Sequence, residues 1–159
     1  MASQRYPLKI NVGFLQHEPI GSYRDIHFEF PELQLPPDFE VHNLAGGVHI
    51  SRTPQGLLVE GEFEAVTQLE CVRCLEPYDQ KLKTNFSEIY AYKNTEFTES
   101  GLVVPDDGNI DLAPIVREYL LLEFPIKPLC KPDCQGLCTV CGENLNLKTC
   151  EHQAKITLE

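Results

Sequence analysis

The feature that most constrains this chain is a dense run of cysteines near its end, PLCKPDCQGLCTVCGENLNLKTCEH, residues 128–152. Five cysteines and one histidine fall within this run: Cys130, Cys134, Cys138, Cys141, Cys150 and His152. The remaining cysteines, Cys71 and Cys74, form a C-x-x-C pair, as do Cys138 and Cys141. A two-residue spacer lets both sulfurs reach one ion, and Gly142 directly after the second pair can adopt the positive φ that such a turn needs. Two such pairs in one chain indicate metal binding.

Other uses of the seven cysteines fit the pattern less well. A disulfide framework would leave one cysteine over, and disulfides are rare in a reducing compartment. Burial as small apolar side chains suits isolated cysteines rather than clusters. A thioredoxin-like redox pair would lie at the start of a helix after a strand, whereas Cys71 and Cys74 lie between two strand-like runs.

Seven cysteines and His152 make eight ligands, which is the number that two tetrahedral zinc sites require. One pairing assigns Cys71, Cys74, Cys130 and Cys134 to one ion and Cys138, Cys141, Cys150 and His152 to the other. A rival pairing places Cys130, Cys134, Cys138 and Cys141 on one ion, and a single zinc ion with spare thiols is a third possibility. Either two-site scheme fills every coordination position with protein atoms, which predicts structural rather than catalytic zinc.

The acidic charge of the chain lies in the part that precedes the cysteine run. The formal net charge is −11, yet residues 127–159 hold four basic and four acidic residues, so residues 1–126 carry all of it. Because sequence-independent nucleic-acid binding is mostly phosphate neutralisation, this charge argues against a general RNA or DNA coat. It leaves open a local basic patch or a basic protein partner.

No part of the sequence predicts a membrane association. No apolar run approaches the roughly 20 residues of a membrane span. The N-terminus, MASQRYPLKINV, lacks the apolar core of a secretory signal. We therefore expect a cytoplasmic protein with reduced thiols and no membrane partner.

Residues 1–92 show the alternating apolar pattern of β-strands. In LLVEGEFEAVTQLE, five apolar or small residues share one face: Val59, Phe63, Ala65, Thr67 and Leu69. Glutamates and a glutamine occupy the other: Glu60, Glu62, Glu64, Gln68 and Glu70. This row is either a solvated sheet face or an acidic docking surface. A second alternating run follows Cys74, which puts residues 71–74 at the tip of a long hairpin.

One helix is predicted over residues 112–124. Asp111 is a candidate N-cap, Pro114 lies in the first turn and Pro125 ends the helix. An apolar stripe predicts its buried face: Leu112, Ile115, Val116, Tyr119, Leu120 and Leu122.

These elements predict an α+β fold, mostly antiparallel β, with one main helix and a C-terminal zinc-ribbon-like module. The expected organisation is an acidic β-rich body over residues 1–126 and a zinc-binding module over residues 127–159. The module is expected to pack on the hairpin tip, residues 71–74, within one compact unit.

No enzyme motif is present. The sequence contains no P-loop, no G-x-G-x-x-G, no G-x-S-x-G and no H-E-x-x-H, and no pair of carboxylates stands out as an acid and base couple. We therefore expect a protein without catalytic activity.

Three segments together resemble the YceD-like family of bacterial large ribosomal RNA accumulation proteins: CVRCLEPY, IDLAPIVREYLLLEFPIKPLC and CQGLCTVCGENLN. The resemblance covers roughly Cys71 to His152, and His152 stands where a cysteine is common in the family. It implies a role in building the large ribosomal subunit and in the accumulation of its ribosomal RNA. It implies no known catalytic residue.

Three functions follow as hypotheses. The first is a non-enzymatic assembly factor that holds a large-subunit ribosomal protein or a pre-ribosomal particle through its acidic face. The second is an RNA-binding zinc module whose contacts would come from Arg73, Lys127, Lys131 and Lys148. The third is a nuclease or redox enzyme that uses the cysteines. A general adaptor for protein interactions is a further alternative to the first. The oligomeric state does not follow from the sequence.

Overall fold

The computed structural model of the chain describes residues 7–93 and 101–152. Its strands and helices follow in chain order: β1 Lys9–Asn11, a 3-10 helix Gly13–His17, β2 Tyr23–Leu35, β3 Phe39–Arg52, β4 Gly56–Glu70, β5 Pro77–Ala91, β6 Asn109–Asp111 and α1 Ala113–Leu122. The chain is thus mostly β with one α-helix among the described residues. Segments 1–6, 94–100 and 153–159, which belong to the predicted body and module, lie outside the described residues.

The four long strands form one sheet in the order β2-β3-β4-β5, and the two short strands β1 and β6 form another. The pairs β1–β6, β2–β3 and β3–β4 are antiparallel. A bulge between His42 and Ala45 interrupts the β3–β4 ladder, and Asn43 within it has a positive φ of 51°. β4 and β5 are the arms of the predicted hairpin, with Cys71 and Cys74 between them.

The chain folds as two compact units. The first unit comprises Met1–Val66 and Lys81–Glu123, and the second comprises Thr67–Gln80 and Phe124–Glu159. The hairpin tip therefore belongs to the same unit as the C-terminal cysteines.

The two faces of β4 differ in burial as its alternating pattern predicts. Val59 and Phe63 are fully buried, and Glu60, Glu62 and Glu64 are exposed on the opposite face. On the buried side the rings of Phe63 and Phe86 stack with centroids 6.1 Å apart. Gly61 leaves the space for this stack, since a Cβ there would lie 2.4 Å from Phe86.

Helix α1 covers part of this buried face. The ring of Tyr119 stacks on Phe86 at 5.1 Å, and four residues of the predicted stripe are buried: Leu112, Ile115, Val116 and Leu120. Leu122 departs from the prediction, because it is the last helical residue and is 71% exposed. No helix within the described ranges is long and apolar enough to cross a membrane.

The start of α1 also differs from the prediction. Leu112 rather than Asp111 occupies the N-cap position, and the helix begins at Ala113. The Asp111 carboxylate still acts as a cap, because it accepts the N–H of Ala113 at 3.0 Å and so satisfies one free donor of the first turn.

Gly61→Ala should lower the free energy of unfolding by about 1–3 kcal/mol, because the added methyl group displaces the stacked Phe86 ring. Gly13→Ala is the matched control, since the nearest atom to its new Cβ would be 3.5 Å away, at ordinary contact distance. Urea unfolding of both variants measures the difference. Equal stability of the two variants would contradict the steric role of Gly61.

Candidate metal centres

The first cluster consists of Cys71, Cys74, Cys130 and Cys134. Their sulfurs all lie within 4.8 Å of one another, although the hairpin tip and the segment after α1 supply two cysteines each. Cys71 and Cys134 are 3.7 Å apart, and Cys74 and Cys130 are 3.6 Å apart. Cys71, Cys74 and Cys134 are buried and pack with Tyr78 and Leu129. The second unit is thus centred on sulfur atoms rather than on large apolar side chains.

The second cluster consists of Cys138, Cys141, Cys150 and His152, whose ligand atoms also lie within 4.8 Å of one another. It is more accessible than the first, because Cys141 is exposed and Cys150 and His152 are half-buried. The ring nitrogen Nδ1 of His152 is buried and makes no hydrogen bond to a described residue. A histidine with an unpartnered ring nitrogen, grouped with three cysteines, is a donor set that a cation would complete.

Both C-x-x-C loops adopt the same backbone turn. The carbonyl of Cys71 accepts the N–H of Leu75 at 2.9 Å, and the carbonyl of Cys138 accepts the N–H of Gly142 at 2.9 Å. The N–H of each first cysteine donates five residues ahead, Cys71 to Glu76 at 2.9 Å and Cys138 to Glu143 at 2.8 Å. This turn points the two sulfurs of each pair to the same side.

The residue after each pair has a positive φ, 61° at Leu75 and 78° at Gly142. Glycine adopts this conformation without steric cost, whereas a side chain costs about 1–2 kcal/mol there. The first turn therefore contains backbone strain that the second avoids.

Backbone contacts join the hairpin tip to the C-terminal segment within the second unit. The N–H of Val72 donates to the carbonyl of Pro128 at 2.9 Å, and the N–H of Leu137 donates to the carbonyl of Arg73 at 3.2 Å. The Arg73 guanidinium donates to the carbonyl of Cys134 at 3.0 Å. These bonds bring Cys130 and Cys134 to the hairpin tip across 56 to 63 residues of sequence.

Asn146 links the two clusters, and sequence reasoning did not single it out. Its side-chain amide donates to the sulfur of Cys134 at 3.3 Å, and its side-chain oxygen accepts the N–H of Gln135 at 2.8 Å. The hydrogen bond from the Asn146 amide to the sulfur lowers the pKa of Cys134. Asn146 lies between Cys141 and Cys150, so the loop of the second cluster contributes a donor to the first. Only its position between ligands could have marked it in the sequence.

The cysteines of the two clusters differ in the pKa of their thiols. Burial raises the pKa of Cys71, but hydrogen bonds from the backbone of Cys74, Cys130 and Arg73 to its sulfur outweigh burial and lower the pKa to about 6. Backbone N–H groups of Cys141 and Val140 likewise lower the pKa of Cys138 to about 6.

Cys130 shows the opposite behaviour, because burial and then the neighbouring sulfurs raise its pKa to about 12. Neighbouring thiolates repel one another, so the four sulfurs of a cluster ionise together only when a cation balances their charge.

The sulfur separations in the first cluster fit a tetrahedral metal ion. Zinc–sulfur bonds of about 2.3 Å separate two sulfurs of a tetrahedral site by about 3.8 Å. The separations of 3.6 and 3.7 Å in the first cluster are close to this value. They exceed the disulfide bond length of about 2.0 Å, and all seven cysteines are free. Both clusters could therefore hold a metal ion, and each would fill its coordination sphere with protein atoms.

The structure groups the eight residues as in the first predicted pairing and not as in the rival one. Cys130 and Cys134 join Cys71 and Cys74, and Cys138 and Cys141 join Cys150 and His152. The four remaining histidines, His17, His27, His42 and His49, belong to neither cluster.

The family model of the large ribosomal RNA subunit accumulation protein YceD matches residues 59–157, which is more than half of the chain. The chain belongs to the YceD family. The match includes both cysteine clusters, β4 from Val59 onward, β5 and α1. The resemblance first seen in three sequence segments is thereby confirmed.

Curated relatives extend the comparison to bacteria and plants. An uncharacterized protein of Mycobacterium tuberculosis is 38% identical over 101 residues, which cover 60% of this chain and 48% of that protein. A chloroplastic YCED homolog 1 of Zea mays, named as a large ribosomal RNA subunit accumulation protein, is 28% identical over 130 residues, covering 62% and 44%. The corresponding Arabidopsis thaliana protein is 27% identical over 134 residues, covering 65% and 42%.

This YceD chain spans about half the length of the curated relatives it matches. No solved structure matches it.

Replacement of Leu75 by glycine tests the strained turn of the first cluster. Leu75 and Val72 are both 54% exposed, but only Leu75 has a positive φ. Val72→Gly should therefore destabilise the protein by about 1 kcal/mol more than Leu75→Gly, because glycine relieves the strain only at position 75. Urea midpoints of the metal-loaded variants measure this difference. An equal or larger loss for Leu75→Gly would contradict the assignment of strain.

Proposed function

We propose that this YceD chain is a non-enzymatic zinc-binding factor that supports biogenesis of the large ribosomal subunit and accumulation of its ribosomal RNA. It would act in the cytoplasm by binding a large-subunit ribosomal protein or a pre-ribosomal particle. The observation that carries this proposal is the pair of closed four-ligand clusters within the segment that matches the YceD family model. The plant homologues, named for accumulation of this RNA, support the process.

Zinc is the metal that suits these ligands. Seven cysteines and one histidine are soft to borderline donors, and groups of four at tetrahedral distances are typical of structural zinc. A closed site leaves no position for a reactive water, so the ions would contribute folding energy rather than chemistry.

The second unit needs such a contribution. Residues 124–152 contain turns and one isolated bridge, between Leu137 and Asn144, but no regular strand or helix. Five large apolar residues of this unit are exposed: Val72, Leu75, Ile126, Val140 and Leu147. Because so little apolar surface is buried, zinc binding, worth about 10–16 kcal/mol in finger peptides, would supply most of the stability.

A protein partner suits the charge of the chain better than RNA. The second unit has five basic and seven acidic residues, and the first unit holds the remaining excess of acid. Phosphate binding needs clustered basic side chains, whereas a basic ribosomal protein would be attracted. Encounter with such a partner would be fast at low salt and slower as salt screens the charges.

The alternative is a direct RNA contact by the second unit, for which Lys127, Lys131 and Lys148 are exposed. Arg73 is engaged with the carbonyl of Cys134. Gel shift with ribosomal RNA fragments separates the two: a specific shift at micromolar zinc-loaded protein favours the alternative, and no shift favours a protein partner.

Native mass spectrometry of the purified chain should show two zinc ions. Cys134→Ser and Cys138→Ser should each reduce the count to one, because each removes a ligand from a different cluster. Val140→Ser is the matched control, since Val140 is exposed between Cys138 and Cys141 and is not a ligand. Chelation should make the second unit sensitive to protease. A metal-free protein that resists protease would contradict the structural role of zinc.

Complementation tests the cellular role, in a bacterial strain from which the YceD-family gene has been deleted. Expression of this chain should restore the ratio of large-subunit to small-subunit ribosomal RNA, and Cys134→Ser should fail to do so. Val140→Ser should restore it as the unaltered chain does. Affinity purification at low salt should recover large-subunit proteins. Full restoration by Cys134→Ser, or recovery of no ribosomal component, would count against the proposal.

A further inference from the structure

The exposed face of the four-stranded sheet contains a trough that runs along β3. On this face β3 contributes Ala45 and Gly47, which add little or no side chain. The register places Gly47 between His27 of β2 and Glu62 of β4, and Ala45 between Glu29 and Glu64. The trough encloses about 740 Å³.

The floor of the trough cannot be filled by a larger residue without a backbone shift. A Cβ on Gly47 would lie 2.7 Å from the carbonyl oxygen of Ile26 and 3.1 Å from Nδ1 of His27. The open space along β3 is therefore a consequence of strand packing. Its walls are the taller side chains of β2 and β4.

The walls of the trough are mainly acidic, with His27 and His49 also lining it and Nδ1 of His49 2.6 Å from the carboxylate of Asp25. Four carboxylates line it, from Asp25, Glu60, Glu62 and Glu64. Lys83 of β5 reaches this row, with Nζ 3.0 Å from Glu64 and 3.6 Å from Glu62, and the hydrogen bond to Glu64 raises its pKa. The contacts of Lys83 show that an ammonium group can bridge two adjacent glutamates of the row, and the row keeps excess negative charge.

The spacing of the carboxylates matches that of an extended chain. Glu60, Glu62 and Glu64 are two residues apart on one strand face, which separates neighbours by about 6.6–6.8 Å. Side chains on one face of an extended peptide repeat at the same distance. A peptide lying along the trough can thus present one cation to each glutamate.

We propose that this acidic trough, formed by Asp25, Ala45, Gly47 and the glutamates of β4, binds an extended protein segment with Lys or Arg at every second position. The inference rests on the proposed function, which requires a macromolecular partner, and assigns the chemistry of that partner. The polyanionic backbone of RNA is repelled from the same surface. The open shape of the trough, its negative charge and the two-residue spacing of its glutamates all favour an extended basic segment.

Two synthetic 12-residue peptides of equal composition test whether binding requires a cation at every second position. One alternates lysine and serine, and the other carries all its lysines in one block. Fluorescence anisotropy at low salt with the zinc-loaded protein should show tighter binding of the alternating peptide. Equal affinity for both peptides would overturn the proposal, because bulk attraction does not depend on spacing.

Charge-neutral variants locate the binding surface. The triple variant Glu60→Gln, Glu62→Gln and Glu64→Gln should weaken binding of the alternating peptide about tenfold, the scale expected for three exposed ion pairs. The matched control removes the same charge from exposed glutamates outside the trough: Glu18, Glu118 and Glu123. Its affinity should stay within about twofold of the unaltered protein. If both triple variants weaken peptide binding equally, the trough is not the binding site.

Lys83→Gln should change the affinity for the peptide in the opposite direction to the glutamate variants. Because Lys83 occupies the glutamates that the peptide would use, its neutralisation should tighten peptide binding about threefold. Unchanged thermal unfolding verifies that each variant is folded. Weaker binding by Lys83→Gln would overturn the proposal.

The peptide-binding tests can fail or succeed independently of the cellular test of the proposed function. If the triple variant binds the peptide normally while Cys134→Ser still fails in cells, the trough assignment is wrong and the proposed function stands. If the trough variants behave as expected while Cys134→Ser restores the ribosomal RNA, the surface stands and the zinc-dependent function is wrong.

Discussion

The second unit of this protein depends on the close approach of sulfur atoms. Four sulfurs within 4.8 Å of one another replace the apolar core that residues 124–152 do not supply. Burial and the neighbouring sulfurs both oppose ionisation there, and together they raise the pKa of Cys130 to about 12. The turns, the hydrogen bond of Asn146 to Cys134 and the backbone hydrogen bonds to the hairpin tip hold the sulfurs close together, as a tetrahedral ion requires.

The first unit is organised by a different interaction. Strand alternation buries an aromatic row, Phe63 and Phe86 with Tyr119 of α1, on one side of the sheet. The same alternation places the glutamates of β4 on the other side, where water solvates them. One local pattern thus produces both the core of this unit and an acidic surface, and glycines at positions 47 and 61 make space on the two sides.

Much of the candidate site could be predicted because its chemistry is local in sequence. C-x-x-C spacing and the glycine at position 142 specify a ligand turn wherever they occur. Alternation specified the faces of β4, and the apolar stripe specified α1 to within one or two residues at each end. Leu122 and Asp111 were placed less well, because the burial of a terminal residue and the identity of an N-cap depend on what packs beside the helix end.

The sequence by itself determined which atoms are available as ligands, where the hairpin around residues 71–74 and the helix lie, and how the charge is distributed. Only the tertiary structure decided that Cys130 and Cys134 meet the hairpin tip rather than Cys138 and Cys141, that Asn146 reaches Cys134, and that β3 forms the floor of an acidic trough. The physical reason is that spacing and alternation act over a few residues. Strand register and contacts across 56 or more residues are instead set by the packing of the whole chain.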